Sequence, residues 1–563
     1  MKLTCSIVVC VFALGSLTLH AEDWTRFRGP GGLGVAADAK SIPVRWSPTA
    51  NLAWKTELPG PGASSPIIVD GRAFVTCYSG YGLSQESPGD IENLVRHLVC
   101  VDLQTGEKLW QRDVKAALPE DPYSGIGVTA HGYASHTPVS DGTNVYAFFG
   151  KSGVHAFDLD GNPLWQAKVG MESDPTKWGS SSSPVVHDGT VIVTASAESQ
   201  SVIGLDAATG KEVWRQEAEQ LDGMWGTPTL IKIDQKRTDL VMCVAGEMWG
   251  LNPENGKLRW FANATGAEQA YTSVIFEGRR VYASTGRGGG SIALEAGGRG
   301  DISETNTVWE GGETTSFASP VLHNGKMYIV SRGILTVVDA ESGDKLKQLR
   351  LSGARQTGGR FGSLDYPSPV VIGDHLYYLN GSGQMFVFDI ADGVRQVGVN
   401  QVTEDQELFW GSPAVSDGQL LIRSSKHLYC VTDKGETVSP DSETVAAAAS
   451  TPPENSRPAG TRGAGGDGGS RFDPMSMFAG MDANSDGSVT EDELSGNRMA
   501  DRLRELDKDG DKAISREEFR SGIANLFRSG RGNGGGGGGG GYRGRSPDTR
   551  PDRPQRPQMD EQR

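Results

Sequence analysis

After Leu19 the 563-residue chain has no long hydrophobic run, which leaves no candidate membrane span in the body of the sequence. It has no surplus of positive charge either. Lys and Arg number 54 against 70 Asp and Glu, a net charge of −16, and this argues against general nucleic-acid binding. Cysteine is scarce. Cys5 and Cys10 fall in the leading apolar segment. Cys77, Cys100, Cys243 and Cys430 show neither a disulfide framework nor metal-ligand spacing, so they read as buried small hydrophobes. There is no adjacent Cys pair, no C-x-x-C-H and no nucleophile elbow. The Gly-rich stretch 286–290 lies inside a β repeat and gives no phosphate-loop reading. His136 and His155 read as structural histidines, and no catalytic residue is assigned. Helical periodicity is nearly missing from Leu52 to Val431.

What is present begins with a leader. Lys2 precedes the apolar stretch Leu3 to Leu19, and Leu19-His20-Ala21 offers a cleavage site, so residues 1–21 read as a signal peptide. The expected product is exported, to the periplasm or the extracellular space, without a membrane anchor.

A Ser/Thr-Pro pair followed by apolar residues and a turn then recurs along the chain. It reads SSPIIVDG at Ser64 and returns around Pro138, Pro184, Pro228, Pro320, Pro369 and Pro413, with Val274 standing for Pro in the fifth copy. One step is long, and Ser79 to Arg96 and Leu118 to Tyr133 read as loop insertions that explain it. Asp-Gly or Asn-Gly turns join β-rich runs in each copy, the strongest short hairpin signal. Units in the mid-forties with about four strands each fit a propeller blade.

The third turn of the unit carries a second motif. It reads DLQTGEKLW from Asp102 to Trp110, DAATGKEVW from Asp206 to Trp214, and NPENGKLRW from Asn252 to Trp260. A shorter form ends at Trp165, and the turn from Asp339 to Gly343 is followed by Lys347 where Trp would stand. Asp and Gly close a tight turn, and the Trp supplies a large apolar body for a neighbour. This Asp-x-x-Thr-Gly-x-x-x-Trp pattern resembles the tryptophan-docking motif of the PQQ-like β-propeller repeat family, which includes quinoprotein alcohol dehydrogenases and the outer-membrane assembly scaffold BamB. The resemblance runs from about Trp54 to Val431 and implies eight blades. Trp54 reads as an orphan outer strand, so the N-terminal strand is expected to complete the last blade and close the ring. The resemblance also raises PQQ with calcium as a cofactor. The absence of a vicinal Cys pair and of a haem attachment motif weighs against that alternative.

Three residues before the repeat Pro (or Val274) stand Trp225, Tyr271, Phe317, Tyr366 and Trp410. If the Ser/Thr-Pro run is the innermost strand, these five form one ring around the axis. They read either as inter-blade packing, the preferred reading, or as an aromatic funnel for a ligand.

A linker rich in Ala, Ser, Pro and Gly, residues 439–470, separates the propeller at 22–438 from two twelve-residue loops of EF-hand type. The first offers Asp482, Asn484, Asp486, the Ser488 carbonyl and Glu493. The second offers Asp507, Asp509, Asp511, the Ala513 carbonyl and Glu518, with Lys512 in place of the usual Gly. Val489 is expected to pair with the second loop. The fold class expected is therefore all-β, an eight-bladed β-propeller, followed by a small α-helical EF-hand domain at 471–528 and a disordered Gly/Arg/Pro-rich tail at 529–563. The function expected is a calcium-binding scaffold for a protein or glycan, with no nucleic acid and no membrane span. A PQQ-dependent oxidoreductase is the alternative.

Overall fold

Hairpin turns set the register of every repeat. At Asp70–Gly71 both residues are left-handed, with φ of 47° and 70°, and Asn324–Gly325 repeats this at 50° and 69°. Two consecutive positive φ angles match the right-handed twist of the flanking strands, and Asn or Asp before Gly tolerates them best. The computed structural model describes residues 23–36, 40–124, 128–174, 177–264, 269–284, 289–355, 366–438, 488–490, 503–507, 511–516, 518–519 and 553–561. The chain divides into two units. One comprises residues 1–451 with 550–563, and the other residues 452–549.

The first unit is an eight-bladed β-propeller. Its first blade runs from the axis outward through Ile67–Val69, Arg72–Ser79, Val95–Asp102 and Lys108–Lys115. Six more blades follow at 139–167, 185–217, 229–263, 275–311, 321–350 and 370–400. The eighth is composite: Ala414–Ser416, Gln419–Arg423 and His427–Thr432 are completed by Leu52–Glu57 from the N-terminal side. The expected closure by the N-terminal strand is thus present. The innermost strands are short and start just after the repeat Pro, whose missing N–H confines it to strand starts and edges. Among the described residues of this unit the α-helices are single turns, Val128–His131 and Ser303–Asn306.

The tryptophans join blade to blade. Trp54 lies on Gly106 of the first blade and donates from Nε1 to Leu103 O at 3.0 Å. A Cβ at Gly106 would fall 2.5 Å from the indole, so the approach needs glycine. Trp110, Trp165 and Trp309 repeat the bond to Leu159, Ala207 and Ala340. Lys347 keeps the reach without the ring, donating to Val394 O at 2.8 Å. Trp260 departs from the pattern. It folds over Gly250 of its own blade and donates to Asp239 Oδ2 at 2.8 Å. The fifth blade follows it with EAGGRGD in place of the Asp-x-x-Thr-Gly turn.

A second set of bonds closes the inner wall. The residue before each repeat Pro donates its N–H to the hydroxyl of its counterpart one blade on, from Ser65 through Thr137, Ser183, Thr227, Ser273, Ser319, Ser368 and Ser412 back to Ser65, at 2.9–3.0 Å throughout. A residue before Pro is restricted to extended backbone, which fixes each hydroxyl in place. The seam between the eighth and first blades has extra ties. Fully buried Arg423 donates to Ser64 O and Thr76 O at 2.9 Å, and Gln419 donates to Leu103 O at 2.9 Å.

Cys77, Cys100, Cys243 and Cys430 are free and buried, as the sequence implies. In the second unit Ser488–Thr490 pairs antiparallel with Ala513–Ser515, and Val489 lies opposite Ile514 as expected. Leu503, Leu506 and Phe519 are buried as well. Residues 1–21 and 439–470, and the loop residues Asp482, Asn484, Asp486, Glu493 and Asp509, lie outside the described residues. One expectation needs correction. Residues 553–561 fall in the stretch read as a disordered tail, yet they are held on the propeller. Leu258 donates to Gln558 O at 2.7 Å and Asp560 donates to Leu258 O at 2.8 Å.

The hydroxyl ring makes a prediction. Ser319→Ala leaves the Ser273 N–H buried without an acceptor and should cost about 1–3 kcal/mol. Ser319→Thr keeps the oxygen and should cost less, as Thr137 and Thr227 already fill two of the ring positions. Urea unfolding of both variants measures the difference, and equal losses would contradict the role given to the hydroxyl.

Candidate functional site: an aromatic axial funnel

Two levels of the repeat line a cavity of about 150 Å³ on the propeller axis. The lower level is the hydroxyl ring. The upper level lies two residues earlier in each copy and is one-sided. The fourth to eighth blades supply Trp225, Tyr271, Phe317, Tyr366 and Trp410, whereas the first three supply Ala63, Ser135 and Ser181. The five aromatics are half-buried. Four of them, Trp225 to Tyr366, pack on one another, and all five face the cavity. Trp225 and Tyr271 stack at 5.1 Å and 9°, Tyr271 and Phe317 meet edge-on at 5.1 Å, and Phe317 and Tyr366 are 4.8 Å apart. Packing and lining are therefore two faces of one arrangement.

The floor comes from the segment before the first blade. Trp24 bridges to Ile68, Arg26 donates to Pro228 O at 2.9 Å, Arg28 donates to Pro320 O at 2.5 Å, and Val35–Ala36 joins the seventh blade. The segment thus crosses the axis, and Phe27 reaches the cavity. Burial pushes the Arg26 guanidinium down to about 10 and that of Arg28 to about 9.

On the side of the small residues the insertion at 118–133 and the loop between the second and third blades supply what the blades do not. Trp178 stands 6.0 Å from Trp225. His131 holds Ser135 Oγ at 2.5 Å and Trp178 O at 2.6 Å through its two nitrogens. Behind them lies a polar chamber. His136 Nε2 is 3.0 Å from Ser180 Oγ, which donates to Glu198 Oε1 at 2.6 Å. Arg96 pairs with Glu120, and Lys151 pairs with Asp121 at 3.1 Å. Burial, with the like charge of Glu120 adding to it, raises the Glu198 carboxyl to about 7; burial also depresses the His136 imidazole to about 3. His155 is bonded to Ser152 O at 3.0 Å and stacked on Phe157, a satisfied structural residue. Glu198 and Trp178 were missed by sequence reasoning. The only signal pointing to this wall was the polar insertion from Leu118 to Tyr133, which carries Glu120, Asp121 and His131.

Among the described loop residues, Asp507 Oδ2 accepts from the Lys512 N–H at 3.1 Å, Asp511 Oδ1 from Ala513 at 2.8 Å, and Glu518 Oε2 from Ser515 at 3.0 Å. Lys512 has a φ of 69°, the left-handed turn that the sequence pattern demands there. Ser488 and Ala513 lie on the paired strands.

Blade number, docking tryptophans and axial funnel define the class: an eight-bladed propeller of PQQ-like repeats. The chain belongs to the family described as outer membrane protein assembly factor BamB, whose model matches residues 95–348 and again 300–439. Among solved structures it is similar to the quinohemoprotein alcohol dehydrogenase from Comamonas testosteroni, at 12% identity and a TM-score of 0.51, over 82% of this chain and 84% of that one. It is also similar to BamB from Moraxella catarrhalis, at 12% identity and a TM-score of 0.48, over 69% of this chain and 99% of that one. None of the curated proteins matches the chain. At such identity the likeness concerns the fold.

The chamber makes a pH prediction. A carboxyl whose folded pKa is raised contributes stability at low pH, and that contribution is lost as pH rises from its unfolded value to about 7. Glu198→Gln stays neutral, so its stability relative to the parent should increase between about pH 5 and about pH 7.5. Urea unfolding at the two pH values reads this out, and a difference that does not change with pH would contradict it.

Proposed function

We propose that the protein is an exported, calcium-binding β-propeller that acts as a non-catalytic binding or assembly scaffold for a protein partner. The observation that carries this reading is the lining of the funnel. Its described residues are aromatic side chains, hydroxyls, Ala63 and His131, with no Asp, Glu, Lys or Arg among them. Such a surface offers stacking area and hydroxyl partners to a side chain or a short peptide. Within the described lining there is no cationic partner for the carboxylates of PQQ, an anionic quinone, and no carboxylate for its calcium. The assembly role named for the family is carried over to this chain as part of the proposal, as is export through residues 1–21. Among the described residues no helix is long and apolar enough to cross a membrane.

The calcium module is the second part of the reading. Asp482, Asn484, Asp486, Ser488 and Glu493 would hold one ion, and Asp507, Asp509, Asp511, Ala513 and Glu518 the other. The antiparallel pairing of Val489 with Ile514 supports this, because it brings the two loops side by side. Calcium supplies charge neutralisation among these carboxylates and holds the small fold together.

Two measurements test the proposal. Purified protein mixed with PQQ and calcium should show no quinone binding by absorbance and no dye reduction with alcohols or sugars. Tight binding with turnover would replace the scaffold reading with the oxidoreductase one. Calorimetric titration with calcium should show two sites, and Glu493→Gln and Glu518→Gln should each remove one. The absence of any calcium heat in the folded protein would sink the calcium assignment.

A further inference from the structure

We infer that the outer rim between the third and fourth blades is a peptide-binding groove whose resident ligand is the chain's own C-terminal segment, Arg553 to Glu561. The segment reads R-P-Q-R-P-Q-M-D-E, with an Arg-Pro-Gln triplet repeated and its two Arg three residues apart. A period of three suits an extended, Pro-rich conformation, in which residues three apart share a face. Both arginines meet carboxylates. Arg553 contacts Glu172 at 2.7 Å and Gln200 at 2.9 Å. Arg556 makes two bonds to Glu247, and its guanidinium lies 3.9 Å over the Phe261 ring. This combination of a fork on a carboxylate and a cation on an aromatic face selects Arg over Lys.

Beyond the arginines the recognition becomes backbone pairing. Met559 bridges in parallel to Leu258, at the start of the outer strand Leu258–Asn263. The Leu258 N–H donates to Gln558 O, and Leu258 O accepts from Asp560. Gly300–Asp301 takes the same edge at Trp260 and Phe261, and the tail takes the part at Leu258. An added strand on a sheet edge is a recurring mode of peptide capture, with side-chain pockets giving the sequence preference. Asp560 supplies the last pocket: it is 7% exposed, Asn252 donates to its carboxylate at 3.1 Å and Arg299 to its carbonyl at 3.0 Å. The groove therefore reads Arg-x-x-Arg at one end and an acidic residue after an apolar one at the other. Because the calcium loops lie between residue 438 and residue 553, that module is tied to the propeller at both ends of its sequence.

The test vacates the groove within the full chain. Arg553→Glu with Arg556→Glu places two carboxylates against Glu172 and Glu247 and should release the tail. A fluorescein-labelled peptide of residues 550–563 should then bind this variant one to one and saturably. Parent protein, whose groove is filled, should bind it at least roughly ten-fold more weakly. Adding Glu247→Arg to the vacated variant should abolish capture. Amide exchange across 553–561 in the parent gives a second readout, with protection at Asp560 expected. No peptide binding to the folded variant, equal binding by variant and parent, or exchange of the parent tail at free-chain rates would each overturn the inference. So would protection that vanishes on dilution together with a dimeric mass, because the occupant would then be the tail of a second copy.

Discussion

A circle of backbone-to-hydroxyl hydrogen bonds is the constraint on which the rest of the molecule depends. Each blade lends one hydroxyl to one N–H of its neighbour, and the chain of donors returns to its start at Ser65. A closed ring has no end to fray, so removing one bond strains its neighbours instead of opening an edge. The Pro after seven of the eight ring residues holds the backbone extended where the hydroxyl must point. Farther out, Trp54, Trp110, Trp165, Trp214 and Trp309 do the same work by area, each covering a glycine of the next blade. The two systems divide the disc between them, with directed polar bonds near the axis and apolar docking near the rim.

The seam shows where closure is hardest. Neighbouring blades elsewhere are joined by continuous chain, but the eighth and first meet through a strand borrowed from the N-terminal side. That interface carries Trp54, Arg423 and Gln419 together. Arg423 is buried with neutral oxygens as its acceptors, and several of them share the cost of burying its charge. The segment from Trp24 to Ala36 then ties the first blade to the fourth, sixth and seventh across the axis. A closed floor turns a channel into a cup, and the aromatic wall gives that cup a chemical preference.

Much of this was legible in the sequence, and the reasons differ by element. Asp-Gly and Asn-Gly turns, Ser/Thr-Pro strand starts and the tryptophan motif are local requirements that recur from blade to blade, so their period betrays them. Trp225, Tyr271, Phe317, Tyr366 and Trp410 were readable for the same reason, because one repeat offset places them at one depth. The hydroxyl ring was hidden in plain view, since Ser and Thr before Pro also suit a simple strand start. Trp260 turns inward where the next blade has no Asp-x-x-Thr-Gly turn to receive it, a correspondence visible only when two repeats are compared. Glu198, Trp178 and the floor residues Arg26, Phe27 and Arg28 lie outside the repeat and come together only through the tertiary fold. The docked tail was obscured by composition, as Arg, Pro and Gln at this density read as solvated chain until Glu172, Glu247 and Phe261 are set beside them.

The most direct test of the closed ring is site-resolved amide exchange of the full chain. The N–H groups of Ser65, Thr137, Ser183, Thr227, Ser273, Ser319, Ser368 and Ser412 should exchange together and among the slowest in the protein, through one shared opening, with Ser412 at the seam as slow as the rest. Exchange of Ser412 and Ser65 at loop-like rates while the other six stay protected would contradict the account, because the disc would then be an open arc whose ends merely touch.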